Sequence, residues 1–331
     1  MIKLPSQLRK VTDQKLLRSI ESRMELVEKR LLEATRHTDA MVDSMASHLA
    51  KAGGKRVRPV LLLLTAELGD PSGQDILDAA VVMEITHLAT LYHDDVMDQA
   101  SKRRGVDSAH IVWGNNVAIL TGDLLFARAS NIVAGLGEEA LTLQAKVFEQ
   151  LVLGQLHETI GPKDGQDPLE HYLEVLRDKT GSLIALSARL GALLSGADKS
   201  YQEPLQLFGE RIGVAFQLVD DLIDIESTKE ESGKVAGTDL LAGVPTLPVL
   251  LLSKFEDAES KALYQKITSG LTLEDLPTVL ASLRVHPVME QARAETVRWG
   301  DQAIEAVMAL PAGSVREALV AFANAVVDRK G

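Results

Sequence analysis

The sequence predicts an all-α fold, and three observations lead to that prediction. Apolar residues recur every three or four positions along almost the whole chain, which is the period of an amphipathic helix. No stretch alternates between apolar and polar residues with the period of two that strands show. Turn-forming segments such as GDPSG and LPAGS separate the periodic stretches. Neither an internal repeat nor a Pro/Ser-rich linker is visible, so we expect residues 1–331 to form a single-domain helical bundle with an N-terminal helical arm over about 1–38.

The helices are predicted in chain order from this periodicity and from the breaks. AGG and GDPSG end the second and third helices, and GPKDGQDP separates two later ones. The stretch 74–101 is apolar on most faces until its last turn, so we expect it at the centre of the bundle. The longest irregular piece, 229–246, has a length that is often functional in compact domains. The predicted helices cover residues 11–35, 39–51, 57–69, 74–101, 109–135, 138–160, 168–194, 200–228, 246–256, 258–269, 288–309 and 313–328.

Composition narrows the class of function. The net charge is −12, whereas binding to a nucleic-acid backbone requires a basic face, so nucleic acid is not expected as a partner. The chain has no cysteine, which excludes disulfides, thiolate metal sites and cysteine nucleophiles and fits a cytoplasmic location. The N-terminal segment lacks the apolar core of a signal peptide, and the longest apolar run, near PVLLLLTAEL, is about half the length of a membrane span. Peripheral contact with a membrane stays open.

The segment LYHDDVMDQASKRRG contains a first acidic cluster, Asp94, Asp95 and Asp98, followed by three basic residues. Carboxylates spaced at i, i+1 and i+4 on a helix repel one another unless a ligand holds them. His87, Asp94 and Asp98 form one stripe on a helix that is otherwise apolar. A buried histidine alone is usually an ordinary core residue, but a histidine aligned with two carboxylates is a ligand candidate.

A second acidic cluster, Asp220, Asp221 and Asp224 in GVAFQLVDDLIDIES, repeats the spacing. One such DDxxD pattern is commonly a solvated acidic turn. Two of them, each ending an apolar stretch, predict carboxylates that open onto a shared core, where unpaired charges are costly. Oxygen-only ligands favour Mg²⁺, which usually also binds phosphate oxygens. The basic segments GGKRVRP and KRRG supply countercharge for a phosphate, and the absence of Walker and GxGxxG sequences disfavours the common nucleotide folds.

Six ordered segments carry a family resemblance that spans roughly residues 40–330: GGKRVRP, EITHLATLYHDDVMD, RRG, LRDKTGSL, FQLVDDLID and GKVAGTDLLAGVPTLP. Together they resemble the trans-isoprenyl diphosphate synthases of the polyprenyl synthetase family, in particular the long-chain all-trans polyprenyl diphosphate synthases. The resemblance implies an isoprenoid-synthase-type bundle around a deep central cavity and a homodimer. It also implies a Mg²⁺-dependent reaction, with three ions per active site, in which an allylic prenyl diphosphate ionises and isopentenyl diphosphate captures the carbocation.

The resemblance further implies roles for individual residues. The metal ligands would be the two acidic clusters, Asp94, Asp95, Asp98, Asp220, Asp221 and Asp224. The ligands of the allylic diphosphate would be Arg103, Lys179, Thr180, Gln217 and Lys234. The ligands of isopentenyl diphosphate would be Lys55, Arg56, Arg58, His87 and Arg104, with the role of Arg56 left open. Catalysis would rest on Asp94, Asp95, Lys179, Thr180, Asp220 and Asp221. Two alternatives remain: Lys179 and Thr180 mark a helix irregularity, and Lys234 is solvated surface.

In this family, the residues four and five places before the first aspartate help to set product length. Here they are Thr90 and Ala89, which are both small, so no bulky side chain closes the far end of the cavity. We therefore expect a C30–C50 product, with farnesyl or geranylgeranyl diphosphate as the shorter alternative. Tyr92 stands where an aliphatic residue is more usual, and the sequence offers no account of it.

Three rival functions share some of these features. A class I terpene cyclase also ionises prenyl diphosphates, but its second metal motif normally mixes other residues with Glu, and the isopentenyl ligands would have no purpose in it. A metal phosphohydrolase built around His93 and Asp94 would need further histidines at ligand spacing. A non-catalytic subunit of a two-component synthase would generally lack one of the two acidic clusters, and this chain has both.

Overall fold

A computed structural model describes residues 13–227 and 236–329. Helix accounts for 77% of the structure, which confirms the predicted all-α class. The α-helices are α1 (Gln14–Thr35), α2 (Ala40–Lys51), α3 (Val57–Ala66), α4 (Gln74–Met97), α5 (Ala109–Trp113), α6 (Asn115–Ala134), α7 (Glu138–Ile160), α8 (Pro168–Leu176), α9 (Ser182–Leu194), α10 (Gln202–Glu226), α11 (Thr238–Ala242), α12 (Leu247–Leu252), α13 (Ala258–Thr268), α14 (Leu276–Val285), α15 (Val288–Val307) and α16 (Ser314–Val327).

Helix ends follow local sequence signals. Asp13, Asp39, Asp167 and Asp257 each precede a helix and accept a hydrogen bond from a backbone N–H of its first turn. Gly161 ends α7 with a φ of 83°, a backbone conformation that glycine adopts without steric cost. These signals explain why the predicted and observed boundaries agree closely for most helices.

Helix α4 lies at the centre of the bundle, as its apolar sequence predicted. It packs against α6, α3, α1 and α9, while α10 packs against α9 and α15. One continuous apolar cluster extends from Leu16 in α1 to Val326 in α16. Because α4 and α10 carry the two acidic clusters, this packing determines how those clusters face each other.

Several elements differ from the sequence-based expectation. Gly114 separates α5 from α6 within the predicted 109–135 helix, and α11 lies within the segment 229–246 that was expected to be irregular. A π-helical turn, Arg177–Gly181, joins α8 to α9 within the predicted 168–194 helix. Helix α14 was not predicted, although Pro277 at its first turn is a favoured residue there. Two short strands, β1 (Lys102–Arg103) and β2 (Val106–Asp107), pair antiparallel directly after α4.

Within the described residues, α6 alone is long and apolar enough to cross a membrane by length and composition, with a mean hydropathy of 1.4. It is a longer segment than the PVLLLLTAEL run considered above. Only 33% of that stretch is buried, and it packs along α4 with part of its surface. The helix therefore leaves an apolar face uncovered.

Candidate active site

The first acidic cluster, at the end of α4, divides its carboxylates between two environments. Asp94 is half-buried and Asp98 is exposed, and their i, i+4 spacing places them on one face of the helix. Asp95 is fully buried and accepts a hydrogen bond of 2.7 Å from Nε of Arg103. Asp94 and Asp98 are therefore accessible to a ligand. Asp95 holds Arg103 with Oδ1, while its Oδ2 is buried without a hydrogen-bond partner.

The hairpin β1–β2 sends two consecutive arginines to different places. Its turn residues, Arg104 and Gly105, have φ values of 53° and 81°. Arg103 pairs with Asp95, while Arg104 turns back to donate hydrogen bonds to the carbonyl of Gly53 and, at 3.4 Å, to Glu84. The change of charge sign after the aspartates thus supplies cations to two neighbouring regions.

The second acidic cluster, at the end of α10, shows the same division. Asp221 is buried and accepts hydrogen bonds from the hydroxyl of Tyr172 and from the backbone N–H of Leu247, the latter at 3.0 Å. Asp220 is half-buried and lies 2.6 Å from the guanidinium of Arg329 in α16's C-terminal extension.

The last member of the second cluster, Asp224, holds the start of α11. Its carboxylate accepts hydrogen bonds from the backbone N–H groups of Thr238, at 3.2 Å, and Asp239, at 3.1 Å. This contact holds Asp239 beside the second acidic cluster and within electrostatic range of Asp98 on α4. Asp239 is the first site residue that the sequence analysis did not single out.

Electrostatics show that the two clusters face one another. Burial is the main reason that the pKa of Asp239 rises to about 6, and repulsion by Asp224, Asp220 and Asp98 raises it further. One carboxyl group therefore lies within electrostatic range of both clusters. Burial also raises the pKa of Asp94 to about 6 and that of Asp221 to about 7. An acidic cleft of this kind is unfavourable without protons or cations.

Lys179 and Thr180 lie in the π-helical turn between α8 and α9. The ammonium group of Lys179 bonds to Glu158 at 2.7 Å and lies within electrostatic range of Asp94 and Asp98. Thr180 is buried. The turn packs closely on α10, because a Cβ at Gly213 would lie 2.6 Å from Cα of Gly181. The helix irregularity suggested by the sequence is present, and it points Lys179 toward the first acidic cluster; π-turns of this kind are frequent at functional sites.

The donor set fits an open magnesium site. Among residues 13–227 and 236–329, no group of three or more His, Cys, Asp or Glu side chains is arranged to hold a metal ion by itself. The carboxylates on the two sides of the cleft are Asp94, Asp98, Asp220, Asp224 and Asp239. Of these, Asp220 pairs with Arg329 and Asp224 accepts hydrogen bonds from the start of α11. Mg²⁺ typically takes one or two carboxylates and completes its shell with water and phosphate oxygens, so an incomplete protein shell suits it.

Three of the residues proposed for isopentenyl diphosphate, Arg58, His87 and Arg104, lie within electrostatic range of one another beside this cleft. Arg58 is half-buried, its Nε has no hydrogen-bond partner, and burial lowers its pKa to about 10. Burial also lowers the pKa of His87 well below its usual value, with Arg58 and Arg104 adding to the effect. Lys55 lies 5.9 Å from the ring centroid of Phe216 on α10. We call Lys55, Arg58, His87 and Arg104 the cationic pocket.

The remaining predicted residues are more scattered. Gln217 is half-buried on α10, one turn before Asp221, and Lys234 lies outside the described residues. Ala89 is fully buried, whereas Thr90 is half-buried on the same face of α4 as Asp94. Arg56 is buried and donates hydrogen bonds to the carboxylate of Glu84 and to the carbonyl of Ala50.

His93, in contrast, faces away from the cleft. Its Nε2 lies 3.0 Å from the carbonyl oxygen of Ile119 and 3.4 Å from Asp123, both on α6. The ring therefore fastens α4 to α6. A phosphohydrolase centred on His93 has no support in this arrangement.

Comparisons with known proteins agree with this geometry. The polyprenyl synthetase family model matches residues 39–280. The nonaprenyl diphosphate synthase of Mycobacterium tuberculosis is 44% identical over 299 residues, or 89% of each chain. The chain belongs to the polyprenyl synthetase family. It is also 33% identical to the heptaprenyl diphosphate synthase component 2 of Bacillus subtilis, over 93% of this chain and 88% of that protein.

A solved structure from the same family has a similar fold. The geranylgeranyl pyrophosphate synthase of Corynebacterium glutamicum, complexed with calcium and isoprenyl diphosphate, has a TM-score of 0.87 and 41% identity, covering 97% of this chain and 99% of that one. Membership of the polyprenyl synthetase family confirms the resemblance, and with it the predicted class of activity, prenyl transfer.

The family match includes both acidic clusters and the whole cationic pocket. Sequence reasoning missed four residues that the structure places among them: Glu84, Glu158, Tyr172 and Asp239. Asp239 stands in the quoted segment GTDLL, so its position beside a predicted functional loop was an available signal. The other three act through partners far away in the sequence, and no local pattern marks them.

Proposed function

We propose that this chain condenses isopentenyl diphosphate onto an allylic prenyl diphosphate and forms an all-trans polyprenyl diphosphate. The observation that carries the proposal is the juxtaposition of two different anion sites. One is the acidic cleft, which fits a metal-bound diphosphate, and the other is the cationic pocket, which fits a diphosphate directly. His87 and Asp94 lie on one stripe of α4, two turns apart, so the two sites are neighbours.

The proposed chemistry begins with cleavage of the allylic C–O bond, in which the electron pair leaves with the diphosphate. The carboxylates of both clusters would hold Mg²⁺, three ions in this proposal, which would supply the Lewis-acid chemistry that neutralises the leaving group. Arg103, fixed by Asp95, and Lys179 add preorganised positive charge.

The second half of the reaction forms a carbon–carbon bond between the allylic cation and the double bond of isopentenyl diphosphate. The cationic pocket holds the diphosphate of that second substrate, and the released diphosphate takes the proton that is lost. We assign to Thr180, which is buried beside Lys179, the role of contacting the reacting carbon with its hydroxyl. Apolar side chains around the cleft exclude water, which would otherwise quench the cation.

We propose a product of C30–C50. The curated relatives named above make heptaprenyl and nonaprenyl diphosphates, whereas the similar solved structure is a geranylgeranyl pyrophosphate synthase. The small residues Thr90 and Ala89 favour the longer products, because no aromatic side chain one turn before Asp94 blocks the growing prenyl chain.

Product analysis tests this proposal directly. Purified protein is incubated with Mg²⁺, labelled isopentenyl diphosphate and allylic starters of increasing length, and products are identified by mass spectrometry. We expect elongation to C30–C50, and none when the metal is chelated. Turnover of the allylic substrate alone would identify a cyclase instead. Failure of the pure chain to elongate any starter would favour the role of a subunit in a two-component enzyme.

We also propose a homodimer, located in the cytoplasm, with peripheral membrane contact for product release. Exposed apolar residues on α6 and α7 support the dimer. Leu120 is 65% exposed on α6, and Leu153 and Leu156 are 44% and 49% exposed on α7. The three-residue turn 135–137 makes these helices antiparallel neighbours, so their apolar residues form one surface.

A further inference from the structure

Three arginines converge on one buried carboxylate beside the acidic cleft. Glu84 in α4 is 1% exposed, and its Oε1 accepts hydrogen bonds from Nη1 of Arg56 at 2.7 Å and from Nη2 of Arg104 at 3.4 Å. Glu84 also lies within electrostatic range of Arg58. A buried carboxylate in this position offsets part of the mutual repulsion of the three guanidinium groups.

Arg56 has no donor left for a ligand. A guanidinium carries five N–H donors. Those of Arg56 face five acceptors: two oxygens of Glu28 at 2.5 and 3.3 Å, Glu84 at 2.7 Å, and the carbonyls of Gly53 at 3.0 Å and Ala50 at 2.9 Å. Its exposure is 3%. Of the residues that the sequence suggested for isopentenyl diphosphate, Arg56 is thus fully occupied within the protein.

The same contacts shape the connection between α2 and α3. Residues 53–56 include positive φ values of 87° at Gly53, 143° at Gly54 and 50° at Arg56. The backbone of this segment, the 53–56 turn, folds back around the guanidinium of Arg56. Arg104 packs against the 53–56 turn, as a Cβ added at Gly54 would lie only 2.8 Å from Cζ of Arg104. Arg104 and Arg56 also share the carbonyl of Gly53 as an acceptor.

Arg58 contrasts with Arg56, although the two are separated by one residue. Its Nε is buried without a hydrogen-bond partner, and it faces His87 and Arg104. An anion is the missing partner of such a group. Arg56, at the end of the 53–56 turn, is therefore bonded within the protein, whereas Arg58, at the start of α3, is directed to a ligand.

We propose that Glu84 and Arg56 are positioning residues for isopentenyl diphosphate. Their buried ion pair holds the 53–56 turn and Arg104 in place, and this arrangement orients the cationic pocket toward a diphosphate. This inference rests on the proposed function. It assigns substrate contact to Lys55, Arg58, His87 and Arg104, and it removes Arg56 from that set.

The test is a set of variants assayed with each substrate varied separately. Glu84→Gln is expected to raise KM for isopentenyl diphosphate about tenfold, because a charge-assisted pair is lost, with KM for the allylic substrate nearly unchanged. Asp78→Asn is the matched control, because Asp78 also lies on α4 and pairs with Arg30 of α1, away from the pocket. It should leave both KM values unchanged.

A double-mutant cycle separates positioning from direct contact. If Arg56 acts through Glu84, then Arg56→Gln combined with Glu84→Gln removes both partners, and its effect on KM should be clearly smaller than the product of the two single effects. Multiplicative effects for Arg56 would show that it binds substrate directly and overturn the proposal, as would a Glu84→Gln variant with lowered Tm but unchanged KM.

Failure of the proposed function has a different signature. In that case the wild-type protein does not elongate any starter. Binding of isopentenyl diphosphate, measured by calorimetry on the same variants, then replaces KM as the readout. Weaker binding in Glu84→Gln but not in Asp78→Asn would still support the positioning role, and equal binding in both would reject it.

Discussion

Individual carboxyl groups in the cleft connect metal binding to pH. The pKa values of Asp94 and Asp239 are raised to about 6 and that of Asp221 to about 7, mainly by burial. A folded-state pKa above the unfolded value means that the native protein binds these protons more tightly. Their contribution to stability is therefore present at about pH 4 and is lost as the pH rises through about 6 to 7.

Magnesium should stabilise the protein more at high pH than at low pH. Above about pH 7 the carboxylates are ionised and repel one another, so bound Mg²⁺ offsets that repulsion; at about pH 5.5 protons compete with the metal. We expect a larger Mg²⁺-induced rise in Tm at about pH 8 than at about pH 5.5, measured by scanning fluorimetry. Asp94→Asn should reduce the rise. An equal rise at both pH values would contradict this account.

Of the two residues proposed to set product length, Thr90 is the better placed. It shares a face of α4 with Asp94, and it is half-buried, whereas Ala89 is fully buried on the face that leads to His93 and α6. In the proposed reaction, a prenyl chain whose diphosphate is bound at Asp94 would extend along the Thr90 face. Ala89 is packed by its neighbours, so a large residue there costs about 1–3 kcal/mol of stability.

Thr90→Phe should therefore shorten the product by blocking the path one turn below Asp94. Mass spectrometry of the elongation products measures the change. Thr90→Val is the control, because it removes the hydroxyl that donates to the carbonyl of His87 but keeps the size. It should leave product length unchanged. Ala89→Phe should also shorten the product, with a fall in Tm; full-length product from both Phe variants would rule out this path for the chain.

Residue types and spacing predicted much of this site, but not its pairings. The DDxxD spacing located both acidic clusters, yet only the structure shows that Asp95 and Asp221 are buried and bonded to Arg103 and Tyr172. The GGKRVRP segment presents Arg56 and Arg58 as equals. Which of them is satisfied by protein depends on Glu28 and Glu84, distant in sequence, and no local pattern carries that information.

At the scale of elements, the π-helical turn depends on close packing between α9 and α10. A Cβ at Gly213 would lie 2.6 Å from Cα of Gly181, and a Cβ at Gly209 would lie 2.3 Å from Cα of Ala185. Both glycines sit inside α10, where alanine normally stabilises a helix by about 1 kcal/mol. Here the neighbouring backbone leaves no room for it.

Gly213→Ala and Gly209→Ala should each lower Tm, with overpacking costing about 1–3 kcal/mol. Only Gly213 contacts the turn that carries Lys179 and Thr180, so only Gly213→Ala should also reduce kcat at temperatures where both variants are folded. Thermal denaturation and steady-state kinetics together measure the two effects. Equal kcat values in the two variants would show that the turn tolerates the shift.

Periodicity was sufficient for most helices because the apolar stripes are long and their caps are regular. It failed at α14, where Pro277 resembles a break but in fact occupies the first turn. It also could not distinguish a π-turn from a continuous helix at 177–181. That distinction arises from the glycine contacts with α10, which lie outside the local sequence.

At the scale of the whole molecule, the uncovered face of α6 and α7 is the main apolar surface to account for. Helix α6 has the composition of a buried helix, yet Ile119 is 41% and Leu120 65% exposed. Clustered exposed apolar residues on a folded chain usually mark an interface. Helix α6 also contacts α4 through His93, directly before Asp94, so a partner on this face would stabilise the position of the acidic cleft.

Leu120→Glu should convert the proposed dimer to a monomer, because it places a charge in the centre of an apolar contact. Val285→Glu is the control, since Val285 is 85% exposed on α14, remote in the chain from α6 and α7. Sedimentation velocity measures the assembly, and the elongation assay measures activity. We expect the Leu120 variant to sediment as a monomer with reduced kcat, and the Val285 variant to behave as wild type. If the Leu120→Glu protein remains dimeric, the dimer interface lies on another surface. If it is a fully active monomer, the acidic cleft does not depend on dimerisation.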